Sequence, residues 1–191
     1  RTERLAGLGF IAALAFAGGI AAKPAPLAVG AGAETHVAAA PAQVEAAVTP
    51  GTATAWTIDK AASTIAFTGT HAGKAFKGRF EQWEGQVWFD PADLAGSKAV
   101  VLVKTGTAKT GDATQEGSLT GAEWLDPTGY PTARFEATAF KALGGDRYEA
   151  TGTLRIKAVT VPVVLPFTFD EANGVATVAG KLELDRTALD L

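Results

Sequence analysis

The chain of 191 residues has room for one domain and an appendage, and its 47% hydrophobic residues against 19% charged ones supply ample apolar material for a core. A formal net charge of −3 argues against a nucleic-acid-binding protein that works by neutralising phosphates. The sequence contains no cysteine, which excludes a disulfide framework, a thiolate metal site and a cysteine nucleophile.

An apolar segment lies near the start of the chain. Residues 5–22 carry no charge and follow the basic residues Arg1 and Arg4. A basic start before an apolar run is typical of a secretory signal, and a run of about 18 residues also approaches the length of a membrane-spanning helix. Residues 1–22 are therefore predicted to be a signal peptide or a membrane anchor, and the domain behind them is predicted to lie outside the cytoplasm.

Residues 23–55 are dominated by Ala, Pro, Val, Gly and Thr and show no sustained strand or helix period. Such a stretch lacks the large apolar side chains that would offset the loss of chain entropy on folding. It is predicted to be a flexible, disordered linker.

The remaining residues, 56–191, alternate apolar and polar side chains over short runs, which is the pattern of half-buried β-strands. Pairs such as Gly144-Gly145 and Asn173-Gly174 separate the runs and favour tight hairpins, and hence antiparallel pairing. The predicted strands cover 56–58, 63–70, 74–80, 82–89, 98–105, 134–140, 146–157, 159–169 and 175–186.

About eight antiparallel strands can close into a barrel that is just wide enough for side chains or one small ligand. Closure also removes the exposed strand edges that promote aggregation. A flat sandwich with a filled core would show the same alternation, so both architectures are open at this point.

Residues 107–131 break the strand pattern because they are polar and rich in glycine. A short helix is predicted over Ser118–Trp124, ending before Pro127. In an up-and-down barrel this insertion would cross one end, where a polar lid with one tryptophan could gate the mouth of a pocket.

Several motifs follow one another in a fixed order over nearly the whole of residues 56–191. They are WTID at 56–59 with STIAF at 63–67, HAGKAFKGRF at 71–80, EGQVWFD at 84–90, YPTARF at 130–135 and GTLRIKAVTVPV at 152–163. In order and spacing these motifs resemble those of the YceI-like family of lipid-binding, lipocalin-like proteins.

The resemblance implies an all-β fold, an eight-stranded antiparallel lipocalin-like barrel with a short helical lid insertion, behind the apolar N-terminal segment and the disordered linker. It also implies export to the periplasm, or tethering to the inner membrane, and binding of a polyisoprenoid lipid or an isoprenoid quinone for transport or storage. Some relatives follow a b-type cytochrome membrane domain, which would suit residues 5–22 as its last helix. The chain departs from the family pattern at 111–118, where an Arg before the lid helix is missing, and at Lys157-Ala158, where a Gly usually precedes Val-Thr.

The predicted ligand-binding residues are an apolar stripe and one histidine. In the functional interpretation the stripe lines an under-filled interior, and His71 contacts a headgroup or a quinone carbonyl at the mouth. In the structural interpretation the stripe is ordinary core and His71 is a hydrogen-bonded turn residue. The residues are Phe67, His71, Phe76, Phe80, Phe89, Phe135, Leu154, Ile156, Leu165 and Phe167.

The sequence contains no clear motif for catalysis or for metal binding. A single histidine in the domain cannot build a zinc site alone, and Ser63 and Ser118 lack the Gly-x-Ser-x-Gly context of a hydrolase. No glycine-rich loop precedes a helix as phosphate binding would require. The domain is therefore predicted to be neither an enzyme nor a holder of a cofactor or metal.

Two alternatives remain from the sequence. One is an enzyme on the same barrel that uses His71 with a lid carboxylate, chosen from Asp112, Glu116, Glu123 and Asp126. The other is a stress-related interaction module with a filled core. The predicted partners are an isoprenoid lipid or quinone, a membrane surface or anchor, an upstream b-type cytochrome domain and a second copy in a homodimer, with no nucleic acid.

Overall fold

The computed structural model describes residues 9–10, 19–21, 49–71, 74–189 and 191. Most of them form short antiparallel strands, and one short α-helix lies between the eighth and ninth strands. The elements are β1 (Gly9–Phe10), β2 (Gly19–Ala21), β3 (Ala55–Ile58), β4 (Ile65–His71), β5 (Lys74–Phe80), β6 (Trp83–Trp88), β7 (Lys98–Lys104), β8 (Ala108–Lys109), α1 (Ala113–Leu119), β9 (Thr132–Gly144), β10 (Arg147–Ile156), β11 (Val159–Ala172), β12 (Val175–Gly180) and β13 (Leu184–Asp185).

The main sheet is antiparallel throughout and strongly curled. Its neighbours follow the order β10-β11-β12-β2-β3-β6-β7-β9, and β9 pairs with β10 as well as with β7. The longest pairings join β9, β10 and β11: β10 pairs with β11 over ten residues and with β9 over nine. This half of the sheet forms the wall of the domain interior.

A second, three-stranded sheet contains β4, β5 and β8. The sequence predicted that the runs 63–70 and 74–80 are strands paired as a sequential antiparallel hairpin, and this is confirmed. Their expected place in one barrel with the other strands is wrong, because they lie in the smaller sheet. These strands pair with each other from Ile65–Phe80 to His71–Lys74, and β3 pairs directly with β6. The two strands contribute Phe67, Phe76 and Phe80 to an apolar cluster. The lid residues Leu119 and Leu125 belong to the same cluster and cover these rings.

The buried side chains form three contacting clusters. A central cluster includes Ile65, Trp83 and Phe135, and a second one beneath the lid includes Phe67. The third surrounds Phe89, which is only 2% exposed. Each large apolar side chain that is fully buried contributes about 1.5–3 kcal/mol to folding, so these clusters hold the curled sheet and the smaller sheet together.

The lid helix lies earlier in the chain than predicted. It spans Ala113–Leu119 instead of Ser118–Trp124, because Asp112 caps it by accepting hydrogen bonds from the backbone N–H of Thr114 and Gln115 at 2.9 and 3.0 Å. An Asp at this position satisfies donors that the first turn of a helix leaves without partners. The helix therefore starts where the capping group lies.

The lid is also tied to the main sheet through the turn between β10 and β11. Lys157, in that turn, donates to the carbonyl oxygen of Ala122 at 3.3 Å. Its φ of 53° is left-handed, a conformation that glycine adopts at less cost. The lid is thus held against the end of β10, where Ile156 packs against the cluster that contains Leu119 and Leu125.

The N-terminal segment is described only in its two short strands. β2 pairs with β12 and β3, and β1 pairs with β13. The rest of residues 1–48 lies outside the described residues, and the assignments of 1–22 and 23–55 stay predictions. Among the described residues, no helix is both long enough and apolar enough to cross a bilayer.

The domain contacts begin a few residues before Trp56. The backbone N–H groups of Thr52 and Ala53 donate to the carbonyl oxygen of Gly96 at 3.0 and 3.1 Å. The last part of the predicted linker is therefore hydrogen-bonded to the loop before β7.

Candidate functional site

An apolar cavity, which we call the central cavity, lies inside the curled sheet. The volume open to the centre of a water-sized sphere is about 70 Å³. Apart from Ser63, every residue around it is apolar, which is typical of a dry cavity that accepts apolar guests. Its lining consists of Ile58, Ser63, Val87, Phe89, Ala99, Val101, Phe135, Phe140, Ala150, Leu165, Phe167, Phe169, Val178 and Gly180.

Four of the residues predicted to bind a ligand line this cavity: Phe89, Phe135, Leu165 and Phe167. They come from β9, from β11 and from the position that directly follows β6, and the curl of the sheet brings them together. Their role as ligand contacts stays a prediction.

A second apolar cavity, the lid cavity, lies beneath the lid helix. The volume open to the centre of a water-sized sphere is about 60 Å³ in this cavity. Three further residues predicted to bind a ligand, Phe67, Phe80 and Ile156, line it. The structure thus divides the single predicted pocket into two spaces. The lid cavity is lined by Phe67, Phe80, Leu119, Trp124, Leu125, Ile156, Leu184, Leu189 and Leu191.

The remaining predicted residues lie elsewhere. Leu154 is buried in the central cluster and lines neither cavity. Phe76 packs edge-to-face against Phe67, with ring centroids 6.3 Å apart. The backbone of His71 pairs with Lys74 at the end of the β4–β5 hairpin, but its side chain lies outside the described residues, so its predicted place at the mouth is untested.

An aromatic cluster lies beside the central cavity and contributes several rings to its lining. Phe89 lies at its centre, with ring centroids 4.7 Å from Phe169, 5.1 Å from Tyr148 and 5.5 Å from Phe167. Such edge-to-face contacts add about 0.5–1.5 kcal/mol per pair beyond the burial of area. Tyr148 and Phe169 are not among the predicted ligand-binding residues, although Phe169 continues the alternating stripe of Leu165 and Phe167.

A polar cleft follows the crease where the chain passes from the small sheet to the main sheet. This crease cleft has about 730 Å³ of room and is bordered by two segments that connect the sheets, 60–64 and 81–82. Its lining combines three cations and two carboxylates with the apolar side chains of Phe80, Trp83 and Leu102. The residues are Lys60, Ser63, Thr64, Arg79, Phe80, Glu81, Gln82, Trp83, Glu84, Leu102 and Lys104.

One side of the crease cleft is fixed by Lys60. Its ammonium group lies 4.1 Å from the centre of the Trp83 ring and also donates to the backbone carbonyl of Trp83. A cation over a tryptophan face gains about 0.5–1 kcal/mol at an exposed site. The contact holds a positive charge at the rim of the cleft.

The lid carboxylates take part in local backbone contacts. The carboxylate of Glu116 accepts from the N–H groups of Thr110 and Gly111 at 2.9 and 3.0 Å and from the Lys109 ammonium at 3.0 Å. These contacts, that from Thr110 foremost, hold the pKa of Glu116 below its ordinary value. Together with the cap at Asp112, they favour the structural interpretation of these groups.

Asp126 accepts a hydrogen bond from the N–H of Gly129 at 3.2 Å, while Glu123 is exposed. Within the described part of the chain, no group of three or more His, Cys, Asp or Glu residues is arranged to hold a metal ion.

Comparison with known proteins agrees with this architecture. The YceI-like domain matches residues 56–191. A UPF0312 protein of Pseudomonas savastanoi pv. phaseolicola is 35% identical over 107 residues, which are 56% of each chain. A UPF0312 protein of Azotobacter vinelandii is 33% identical over 106 residues, 55% of each chain. The chain spans a little over half the length of the curated relatives it matches.

Solved structures show the same fold. The crystal structure of Burkholderia cenocepacia BcnA matches with a TM-score of 0.67 and 29% identity, covering 70% of this chain and 84% of that one. A Campylobacter jejuni YCEI protein matches with a TM-score of 0.53 at 23% identity, over 61% of this chain and 71% of that one, which supports the fold alone. The resemblance seen in the sequence is confirmed, and the chain belongs to the YceI-like family.

Proposed function

We propose that the YceI-like domain, residues 56–191, binds and shields the chain of a polyisoprenoid lipid or an isoprenoid quinone inside its curled, lipocalin-like sheet. The central cavity is the observation that supports this function. Its wall is apolar on every side except at Ser63, so it offers an isoprenoid chain a dry environment and offers little to a polar solute.

The driving force is the removal of apolar surface from water, about 25 cal/mol for each Å² before the cost of ordering the ligand. The empty cavity holds only a short length of chain. A longer chain requires aromatic rings at the cavity wall, such as those of Phe89 and Phe167, to rotate aside. Aromatic side chains suit this role because they are large and lie against one another in several arrangements of similar energy.

The proposed location is the periplasm, either after export or tethered to the inner membrane. The uncharged run at residues 5–22 supports this placement, as a cleaved signal or as an anchor. An anchor, or a b-type cytochrome domain before it, would keep the barrel beside the bilayer from which isoprenoids and quinones are drawn. In this proposal the domain binds the lipid for transport or storage and catalyses no reaction.

Native mass spectrometry of the full chain, purified from its own membranes without detergent, tests this function. The expected result is an added mass that extraction identifies as an isoprenoid. An Ala150→Leu variant fills the central cavity from a buried position and should lose the added mass, whereas Val164→Leu, at an exposed position, should retain it. Protein that carries no lipid and takes up no added isoprenoid quinone would contradict the proposed function.

A further inference from the structure

The crease cleft borders both apolar cavities. Ser63 lines the crease cleft and the central cavity, and Phe80 lines the crease cleft and the lid cavity. One polar cleft therefore lies beside two separate apolar spaces, with a single side chain at each boundary.

The crease cleft has a small excess of positive charge, because its lining carries three cations against two carboxylates. Glu84 forms no ion pair with any described residue, and neither do two of the cations. Arg79 lies 3.7 Å from Glu81 and is balanced by it. Lys60 and Lys104 form no ion pair with any described residue; Lys60 lies over the Trp83 ring, and Lys104 donates to the hydroxyl of Thr132 at 3.4 Å. Two ammonium groups thus remain able to donate to an anion that enters the cleft.

The boundary at Ser63 contains an unsatisfied polar group. Ser63 is 9% exposed, and its hydroxyl has no hydrogen-bond partner among the residues that the structure describes. A buried hydroxyl without a partner is unfavourable, so such groups in native proteins require an explanation. An ester carbonyl at the junction between a polar head and an apolar chain would accept this donor.

We infer that the domain takes a second class of ligand, a two-chain lipid with an anionic phosphate headgroup. The head lies in the crease cleft between Lys60 and Lys104, one chain enters the central cavity past Ser63, and the other enters the lid cavity past Phe80. This rests on the proposed function only in requiring that the central cavity accept an apolar chain. The lid cavity and the crease cleft are additional to it.

Calorimetric titration of the full chain with dioctanoylphosphatidylglycerol, which is soluble without vesicles, provides the test. Ala99→Leu fills the central cavity and Ile156→Phe fills the lid cavity. Each is expected to weaken binding by about tenfold or more, since each excludes one chain. The matched control Val164→Phe adds bulk at an exposed position of β11 and should change binding by less than about twofold.

Three further ligands separate the contributions. The single-chain lysolipid should bind more weakly and respond to only one of the two filling variants. The zwitterionic dioctanoylphosphatidylcholine should bind more weakly than the anionic lipid, and Lys104→Gln should reduce that difference. Inorganic phosphate alone should give little heat, because the two chains supply most of the binding.

Circular dichroism and the thermal midpoint of each variant without lipid confirm that it is folded. A second pair, Ala150→Leu and Leu184→Phe, fills the same two cavities from other walls. Lid-cavity variants that bind the two-chain lipid as well as wild type would overturn this inference and leave isoprenoid binding in place. Inorganic phosphate that binds as tightly as the lipid would overturn it too. Central-cavity variants that still take up both lipid classes would remove the proposed function as well.

Discussion

Phe135 and Phe140 line the same cavity although five positions of one strand separate them. In a regular strand an odd separation places two side chains on opposite faces. The register between β9 and β10 shifts here: Thr151 faces Ala139, the next residue Gly152 faces Ala137, and Thr138 is left over as a bulge. The bulge reverses the alternation and turns both rings inward.

Gly152 allows this bulge to form, which leads to the first prediction. A Cβ at this position would overlap the carbonyl oxygen of Glu136 and the Cα of Ala137. Gly152→Ala should therefore lower the free energy of unfolding by about 1–3 kcal/mol, as overpacking does. Urea denaturation measures the change. Thr151→Ala, an exposed neighbour, is the control, and equal stability of the two variants would argue against a close approach at the bulge.

How far the sequence predicted the fold differs from strand to strand. The predicted run 74–80 is the same as β5, and 159–169 differs from β11 only at its end, because alternation and turn residues mark these elements locally. The assignment of β4 and β5 to a separate sheet depends on contacts with a lid far away in the chain. No local pattern contains that information.

The candidate site shows the same division. Leu165 and Phe167 lie in a regular strand, and alternation predicted their inward direction. Phe140 could not be found in this way, because the bulge at Thr138 changes the face it occupies. The separation of the interior into two cavities could not be predicted either, since it depends on contacts between side chains that lie far apart in the sequence.

A second prediction concerns the outer face of the main sheet. Lys98 Nζ and Arg134 Nη2 each lie 2.9 Å from the carboxylate of Glu136, whose side chain is 28% exposed. The hydrogen bond from Lys98, followed by that from Arg134, holds the pKa of Glu136 below its ordinary value. A carboxyl group with a lowered pKa stabilises the fold above the pKa of the unfolded chain, and that stabilisation is lost as the pH falls through the folded value.

Glu136→Gln should therefore cost about 0.5–1 kcal/mol at neutral pH. The difference from wild type should shrink as the pH drops below about 4.3, the ordinary value for glutamate. Denaturation curves over a series of pH values measure this. Glu123→Gln, at an exposed lid position, is the control, and a constant difference between wild type and Glu136→Gln at all pH values would contradict the assigned role.

A third prediction concerns the helix cap of the lid. Asp112→Ala removes the acceptor of two N–H groups and should destabilise the helix by about 1 kcal/mol. Hydrogen exchange at the amides of Thr114 and Gln115 should become faster, while Asp112→Asn, which retains an acceptor oxygen, should exchange nearly as wild type does. Unchanged exchange in the alanine variant would show that the cap does not hold the lid.

A fourth prediction concerns the aromatic cluster. Phe89 is 2% exposed and contacts four other aromatic rings, so Phe89→Ala should cost about 3–5 kcal/mol in unfolding free energy. Phe76→Ala, at a half-buried ring on the smaller sheet, should cost clearly less. Chemical denaturation of the two variants measures both losses. A larger loss of unfolding free energy in Phe76→Ala than in Phe89→Ala would contradict the central role of Phe89 in the aromatic cluster.

The most direct measurement is a crystal structure of the protein purified without detergent from the cells in which it naturally occurs. We expect continuous electron density for an elongated apolar molecule in the central cavity, in contact with Phe89, Phe135, Leu165 and Phe167. An interior at high resolution in which the protein's own side chains meet across that cavity, with no added density and no space left, would contradict it.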